Sequence, residues 1–184
     1  MADQELPRRA RVVIVGGGII GCSVAYHLAH MGWKDVVLLE RDQLTSGTTW
    51  HAAGLMVTFG STSMTNTWMR KYTRDLYARL EAETGQSTGF KDVGFIELAT
   101  DQDRLEEYHR VAAFNRFCGI DVHEISASEV KDLFPLARVD DILAGFYVKE
   151  DGRVNPVDAT MALARGARMQ GALVLEEVPA TGVL

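Results

Sequence analysis

A chain of 184 residues, 47% of them hydrophobic, is long enough for one ordinary globular core and too short for many large enzymes. A net charge of −6 and a pI near 5.4, with no Lys/Arg cluster, remove the electrostatic case for nucleic acid. No apolar run approaches the ~20 residues a bilayer span requires. Residues 1–10 hold Arg8 and Arg9 beside Asp3 and Glu5 without an apolar core, which makes a poor signal or transit peptide and leaves open a precursor trimmed upstream.

The first element is an apolar run, Arg11-Val12-Val13-Ile14-Val15, that ends in glycines spaced G-x-G-x-x-G at Gly16, Gly18 and Gly21. An apolar, alanine-containing helical pattern follows at once. In this strand, turn and helix, Gly16 permits the tight turn, Gly18 lets backbone approach a pyrophosphate, and Gly21 lets helix and strand pack closely. The helix N-terminus then offers free N–H groups and the positive end of its dipole to an anion. Gly32, with Lys34 beyond it, closes the helix. A second apolar run ends at Glu40, 19 residues past Gly21, where an acid can accept from both ribose hydroxyls of an adenosine. Residues 11–41 therefore read as a βαβ unit for an adenine dinucleotide.

Leu44 to Leu55 is dominated by small hydroxyl residues and glycines, which suits a segment close to a phosphate-bearing ligand. The competing reading is a helix start capped by Thr48 or Thr49, with Trp50 buried in a core. Residues 64–84 repeat Trp68, Tyr72, Leu76 and Leu80 at a spacing of four, which predicts an amphipathic helix ending at Gly85 with these side chains inward. A strand over 94–99 leads to a capped helix start at 100–103 that carries Leu105, Tyr108, Val111, Ala112 and Phe117 and stops at Gly119. A strand over 121–125, a capping box from Ser126 to Glu129 and a short helix halted by Pro135 come next. A strand over 144–148 precedes a turn at 151–153. Asn155 caps a helix with Pro156 at its first position, which runs through Met161, Leu163, Ala164 and Ala167 to Gly171, and a last strand occupies 172–175.

This order predicts an α/β fold: a Rossmann-like domain, 11–59 and 151–184, interrupted by a mixed α+β insertion over 60–150. Cys22 and Cys118 sit far apart in apolar helical contexts and read as buried free thiols. His27, His30, His109 and His123 lack ligand spacing, so no metal is expected.

Together with the glycine fingerprint, Ser46-Gly47-Thr48-Thr49-Trp50-His51-Ala52-Ala53-Gly54 resembles the N-terminal part of the dimethylglycine and sarcosine dehydrogenases, within the D-amino-acid-oxidase-like flavoproteins. The likeness extends through 80–86, Phe134-Pro135-Leu136, and Tyr147 to Pro156. It implies FAD as cofactor, bonded covalently through His51 to the flavin 8α-methyl carbon, an attack that needs a neutral imidazole held against the dimethylbenzene edge. It implies pyrophosphate on the N–H groups of Ile19 and Ile20, ribose flanked by Glu40 and Arg41, and a wall for phosphate and ring from Gly47, Thr48, Thr49, Trp50, His51, Ala52, Ala53, Gly54 and Leu55. Backbone near Ala180 would touch the adenine.

The reaction implied is oxidation of an N-methyl amine, hydride passing from the methyl group to flavin N5 and the iminium resolving to water or a tetrahydrofolate acceptor. An electron-transfer flavoprotein would take the electrons. Eukaryotic relatives are mitochondrial and bacterial ones cytoplasmic. The family continues well past this length, so the chain is expected to be an N-terminal fragment with an incomplete sheet, an exposed edge, no substrate-pocket or catalytic residues of its own, and no activity alone. Two other readings stay open: a flavin amine oxidase of other specificity, and a non-catalytic homologue such as the regulatory subunit of pyruvate dehydrogenase phosphatase, against which Trp50 and His51 argue. A nicotinamide dehydrogenase fits the residues after Glu40 less well.

Overall fold

The computed structural model describes residues 6–182. The first half of the stretch read above as a poor leader therefore lies outside the described residues, as do the last two positions. The chain divides into two compact units: 1–54, 77–90 and 154–184 form the first, and 55–76 with 91–153 form the second. The sequence expectation put the boundaries after 59 and 150. In the structure residues 77–90 belong to the first unit, because the second half of the long helix packs there.

The first unit is a three-stranded parallel sheet with helices. Strands β1 (Val12–Val15), β2 (Val36–Leu39) and β8 (Leu173–Leu175) lie in the order β1-β2-β8, with Val12 opposite Val36 and Val37 opposite Leu173. Helix α1 (Ile19–His30) packs chiefly against α5 (Pro156–Met169). The approach is close because α5 presents Ala159, Ala162, Leu163, Ala164 and Gly166, all buried. A Cβ on Gly166 would come within 2.7 Å of the buried Tyr26 ring, so the glycine sets the helix separation. Asn155 caps α5 through its side-chain oxygen, which accepts from the N–H groups of Val157 and Asp158, and Pro156 follows as expected. β1 is an edge strand among the described residues, and Val13 and Val15 are 54% and 68% exposed.

The second unit holds an antiparallel sheet of β4 (Phe95–Ala99), β6 (Ala144–Val148) and β5 (Val122–Ile125), plus a two-stranded ribbon of β3 (Leu55–Met56) and β7 (Gly152–Arg153). The turn expected at 151–153 is therefore partly ladder. Phe59, Val111, Ala112, Val122, Phe146 and Val148 form the core, with α3 (Gln102–Phe117) laid on the sheet. Asp101 caps α3 by accepting from the Arg104 N–H, and both halves of the capping box at Ser126 and Glu129 form at the head of α4 (Ala127–Leu133).

Helix α2 (Met64–Thr84) ends at Gly85, whose φ is +68°. Its apolar stripe is only half used: Leu76 and Leu80 are buried, whereas Trp68 and Tyr72 are 55% and 44% exposed, contrary to the inward placement expected. Phe117 sits at the last turn of α3 and is 75% exposed. Periodicity marks the apolar face of a helix but not how far along it a partner extends. Cys22 and Cys118 are buried and free, as expected.

Candidate active site: a nucleotide cradle on the first unit

The turn from β1 into α1 is shaped by backbone contact. Gly16 has φ +110° and donates its N–H to the Leu39 carbonyl at 2.8 Å, which ties the turn to β2. A Cβ on Gly21 would lie 1.9 Å from the Gly16 carbonyl oxygen, so only glycine lets α1 begin where it does.

At the end of β2, Glu40 accepts from the Gly17 N–H at 2.5 Å and from the Asp42 N–H at 3.0 Å. Burial alone would raise its pKa, yet the N–H groups of Asp42, Gly17 and Arg41 and the Arg41 charge hold the carboxyl below its ordinary value. Glu40 stays ionised and acceptor-only at neutral pH. With Val15, Gly16, Leu39, Arg41, Pro179 and Ala180 it lines a cavity of about 340 Å³. Apolar side chains around one fixed carboxylate suit an adenosine: a base between aliphatic walls and a ribose diol within reach of Glu40. Arg41 is exposed and paired with Asp42 at 3.3 Å.

Ala180 reaches this cavity because the segment after β8 folds back onto the loop after β2. The Val178 N–H donates to the Glu40 carbonyl at 2.8 Å, the Glu177 N–H to the Asp42 carbonyl at 2.9 Å, and the Leu44 N–H to the Glu176 carboxylate at 2.8 Å. Glu176 also pairs with Arg168 at 3.4 Å. Glu176, Pro179 and Thr45, whose φ is +71°, were not singled out in the sequence. Each depends on a partner distant in sequence, so no local signal marks it.

The loop after Leu44 departs from the capped-helix reading. Thr48 makes no capping bond, and Thr49 to His51 form a single 3₁₀ turn (Thr49–His51). Thr49 is buried and its Oγ1 accepts from the Ile19 N–H at 3.0 Å. Of the two donors expected for pyrophosphate, Ile19 is therefore committed to Thr49, because the hydroxyl sits where the first-turn N–H points. Ile20, 79% exposed, and Gly21 are first-turn positions whose N–H groups have no intrahelical acceptor. The cradle at this terminus is narrow: a Cβ on Gly18 would sit 3.1 Å from Thr49 Oγ1.

Trp50 is 57% exposed rather than core, and His51, Ala52 and Ala53 are exposed beside it. The Trp50 and His51 rings lie with centroids 3.6 Å apart. Gly47 has open space around it. Gly54, with φ +73°, takes the Val154 N–H on its carbonyl at 2.8 Å, and a Cβ there would meet the Val154 oxygen at 2.2 Å. Leu55 opens β3, falls in the second unit and is 63% exposed. Cys22 donates weakly to the Gly17 carbonyl at 3.5 Å, and burial pushes its thiol up to about 12, so it stays protonated.

Residues 11–184 match the DAO family, FAD dependent oxidoreductase, which covers the glycine turn, the cavity and the loop to Gly54. The chain belongs to this family. Human sarcosine dehydrogenase is 41% identical over 181 residues, covering 98% of this chain and 20% of that protein. Rat dimethylglycine dehydrogenase is 43% identical over 182 residues, covering 97% and 21%. The mouse pyruvate dehydrogenase phosphatase regulatory subunit is 42% identical over 179 residues, covering 97% and 20%. The solved structure of L-proline dehydrogenase from P. horikoshii superposes with a TM-score of 0.90 at 28% identity, covering 97% of this chain and 47% of that one. The chain thus spans about a fifth of the length of these relatives and under half of that flavoenzyme fold, which is why the fold is incomplete. Among the described residues, no helix is long and apolar enough to cross a membrane, and no cluster of three His, Cys, Asp or Glu is poised for a metal.

Proposed function

We propose that this chain is the FAD-binding part of a dehydrogenase that oxidatively demethylates an N-methylglycine such as sarcosine or dimethylglycine. The observation that carries the reading is an exposed His51 at the end of a 3₁₀ turn whose first residue, Thr49, touches the α1 N-terminus. That arrangement offers a free imidazole on the same unit as the adenosine-sized cavity.

In this reading Glu40 accepts from the ribose hydroxyls, Arg41 flanks them, the backbone near Ala180 borders the adenine, and Ile20 with Gly21 donates to the pyrophosphate. Residues from Gly47 to Leu55 line the remainder of the cofactor, and His51 carries the covalent bond to the 8α carbon. FAD, when bound, supplies a two-electron acceptor for the hydride of the N-methyl group. This chain's task is binding and orientation: Glu40 stays anionic, and Gly18 and Gly21 keep the helix end open to the phosphates. The second unit, broadly the 60–150 segment, faces substrate. Substrate-pocket residues and a tetrahydrofolate site belong to sequence outside this chain, and an electron-transfer flavoprotein takes the electrons. Alone, the chain is inactive, since half the flavin has no walls. The compartment follows the source: mitochondrial matrix in a eukaryote, cytoplasm in a bacterium.

The likeness to the phosphatase regulatory subunit keeps a non-catalytic reading in view. Intact mass separates the two. Expressed with flavin available, the longest natural polypeptide carrying this chain gains one FAD that survives acid precipitation, and His51→Ala abolishes the gain. A colourless, unmodified protein would refute the dehydrogenase reading and bring the regulatory one forward.

A further inference from the structure

Trp50 and His51 are successive residues of a 3₁₀ turn, where three residues per turn send neighbouring side chains about 120° apart. Their rings nevertheless lie against one another in a tilted pair, centroids 3.6 Å apart and planes 33° from parallel. Both side chains are exposed, the indole at 57%, so the pairing is not imposed by a surrounding core. Among the described residues neither ring nitrogen of His51 has a hydrogen-bond or ion-pair partner. The indole is the aromatic neighbour of the imidazole among the described residues, and this ring contact leaves both nitrogens without a hydrogen-bond partner. A hydrogen-bonded brace would instead occupy one nitrogen.

We propose that Trp50 is a positioning residue for covalent attachment of a flavin to His51: its indole holds the imidazole plane so that a ring nitrogen presents its lone pair to the 8α carbon. This rests on the covalent reading above. Attachment replaces the N–H of His51 and one C–H of the methyl group by an N–C bond. The two protons and two electrons released pass to dioxygen, giving hydrogen peroxide. Nothing in this balance needs Trp50 to exchange a proton or electron. Its part is orientation, which lowers the entropic share of the barrier.

The test follows the rate of FAD attachment by intact mass at saturating FAD in air, on the longest natural polypeptide carrying this chain, for wild type, Trp50→Leu and Trp50→Phe. Free-FAD affinity is measured in parallel in the His51→Ala background. An aromatic pair of this kind corresponds to a rate loss of roughly two- to tenfold in Trp50→Leu that persists at saturating FAD, with Trp50→Phe near wild type. Attachment of Trp50→Leu at the wild-type rate overturns the inference and leaves the covalent reading standing. A Trp50→Leu rate loss that vanishes once FAD is raised to saturation also overturns it, since the indole would then act through binding alone. No attachment in wild type defeats the covalent reading itself, and the inference with it.

Discussion

Gly21→Ala is the sharpest probe of why α1 starts where it does. An added Cβ would sit 1.9 Å from the Gly16 carbonyl oxygen, 3.1 Å from its carbon and 3.4 Å from Ile14 Cγ2. Ordinary carbon–oxygen contact begins at about 3.3 Å, so helix and turn must separate by about 1.4 Å. The obstacle is backbone, and Gly16 cannot yield freely, because its N–H is bonded to Leu39 and its φ of +110° is already outside the range of other residues. Overpacking of this kind costs about 3 kcal/mol. For a chain of this size 1 kcal/mol shifts Tm by about 2–4 °C, so a fall of about 6–12 °C is expected by circular dichroism melts. FAD affinity should fall as well, since the N–H groups of Ile20 and Gly21 move with the helix. Gly47→Ala is the control: no atom lies within 4 Å of its Cβ, and the change should stay within about 1 kcal/mol either way. A Gly21→Ala melt within 2 °C of wild type, with unchanged FAD affinity, would refute the steric account.

Other predictions concern polar side chains that hold backbone N–H groups. Asn115, fully buried, accepts from the Gly60 N–H at 3.0 Å and donates to the Ser61 carbonyl at 2.7 Å, so Asn115→Ala strands two backbone groups and should cost about 2–3 kcal/mol, read as a lowered urea midpoint with unchanged slope. Two carboxylates should contribute to pH dependence with opposite signs. Glu40 is held below its ordinary value, so its contribution to stability is present above that value and fades as pH falls through the lowered pKa; the difference between wild type and Glu40→Gln should therefore shrink toward pH 3 in acid unfolding. Burial raises the carboxyl of Asp151 despite the Thr58 N–H, the Thr58 hydroxyl and Arg74, so wild type loses part of its stability as pH rises from the ordinary carboxylate value to the raised one, and Asp151→Asn should remove that segment of the slope. An unchanged pH profile in either variant would refute the assignment for that residue.

Much of this protein was legible one segment at a time. The glycine spacing, the acid after β2, the caps at Asp101, Ser126 and Asn155 and the stop at Gly85 are local rules, satisfied within a few residues by the backbone's own donors and steric limits. So was the incomplete α/β fold, since an exposed β1 edge follows from the elements present.

What covers each face was not legible. The stripe on α2 looks uniform from Trp68 to Leu80, yet only its second half is buried, because periodicity encodes a direction and not a depth. The donor at Ile19 is claimed by Thr49, 30 residues on, and the Leu44 N–H by Glu176, 132 residues on. The pairing of Trp50 with His51 needs a turn geometry that sequence adjacency alone opposes. Local sequence is enough for the strand–turn–helix, because that unit depends on which atoms a residue lacks or carries. Which donors remain for a ligand is settled by the fold, because a distant segment such as Thr49 or Glu176 takes the N–H it reaches.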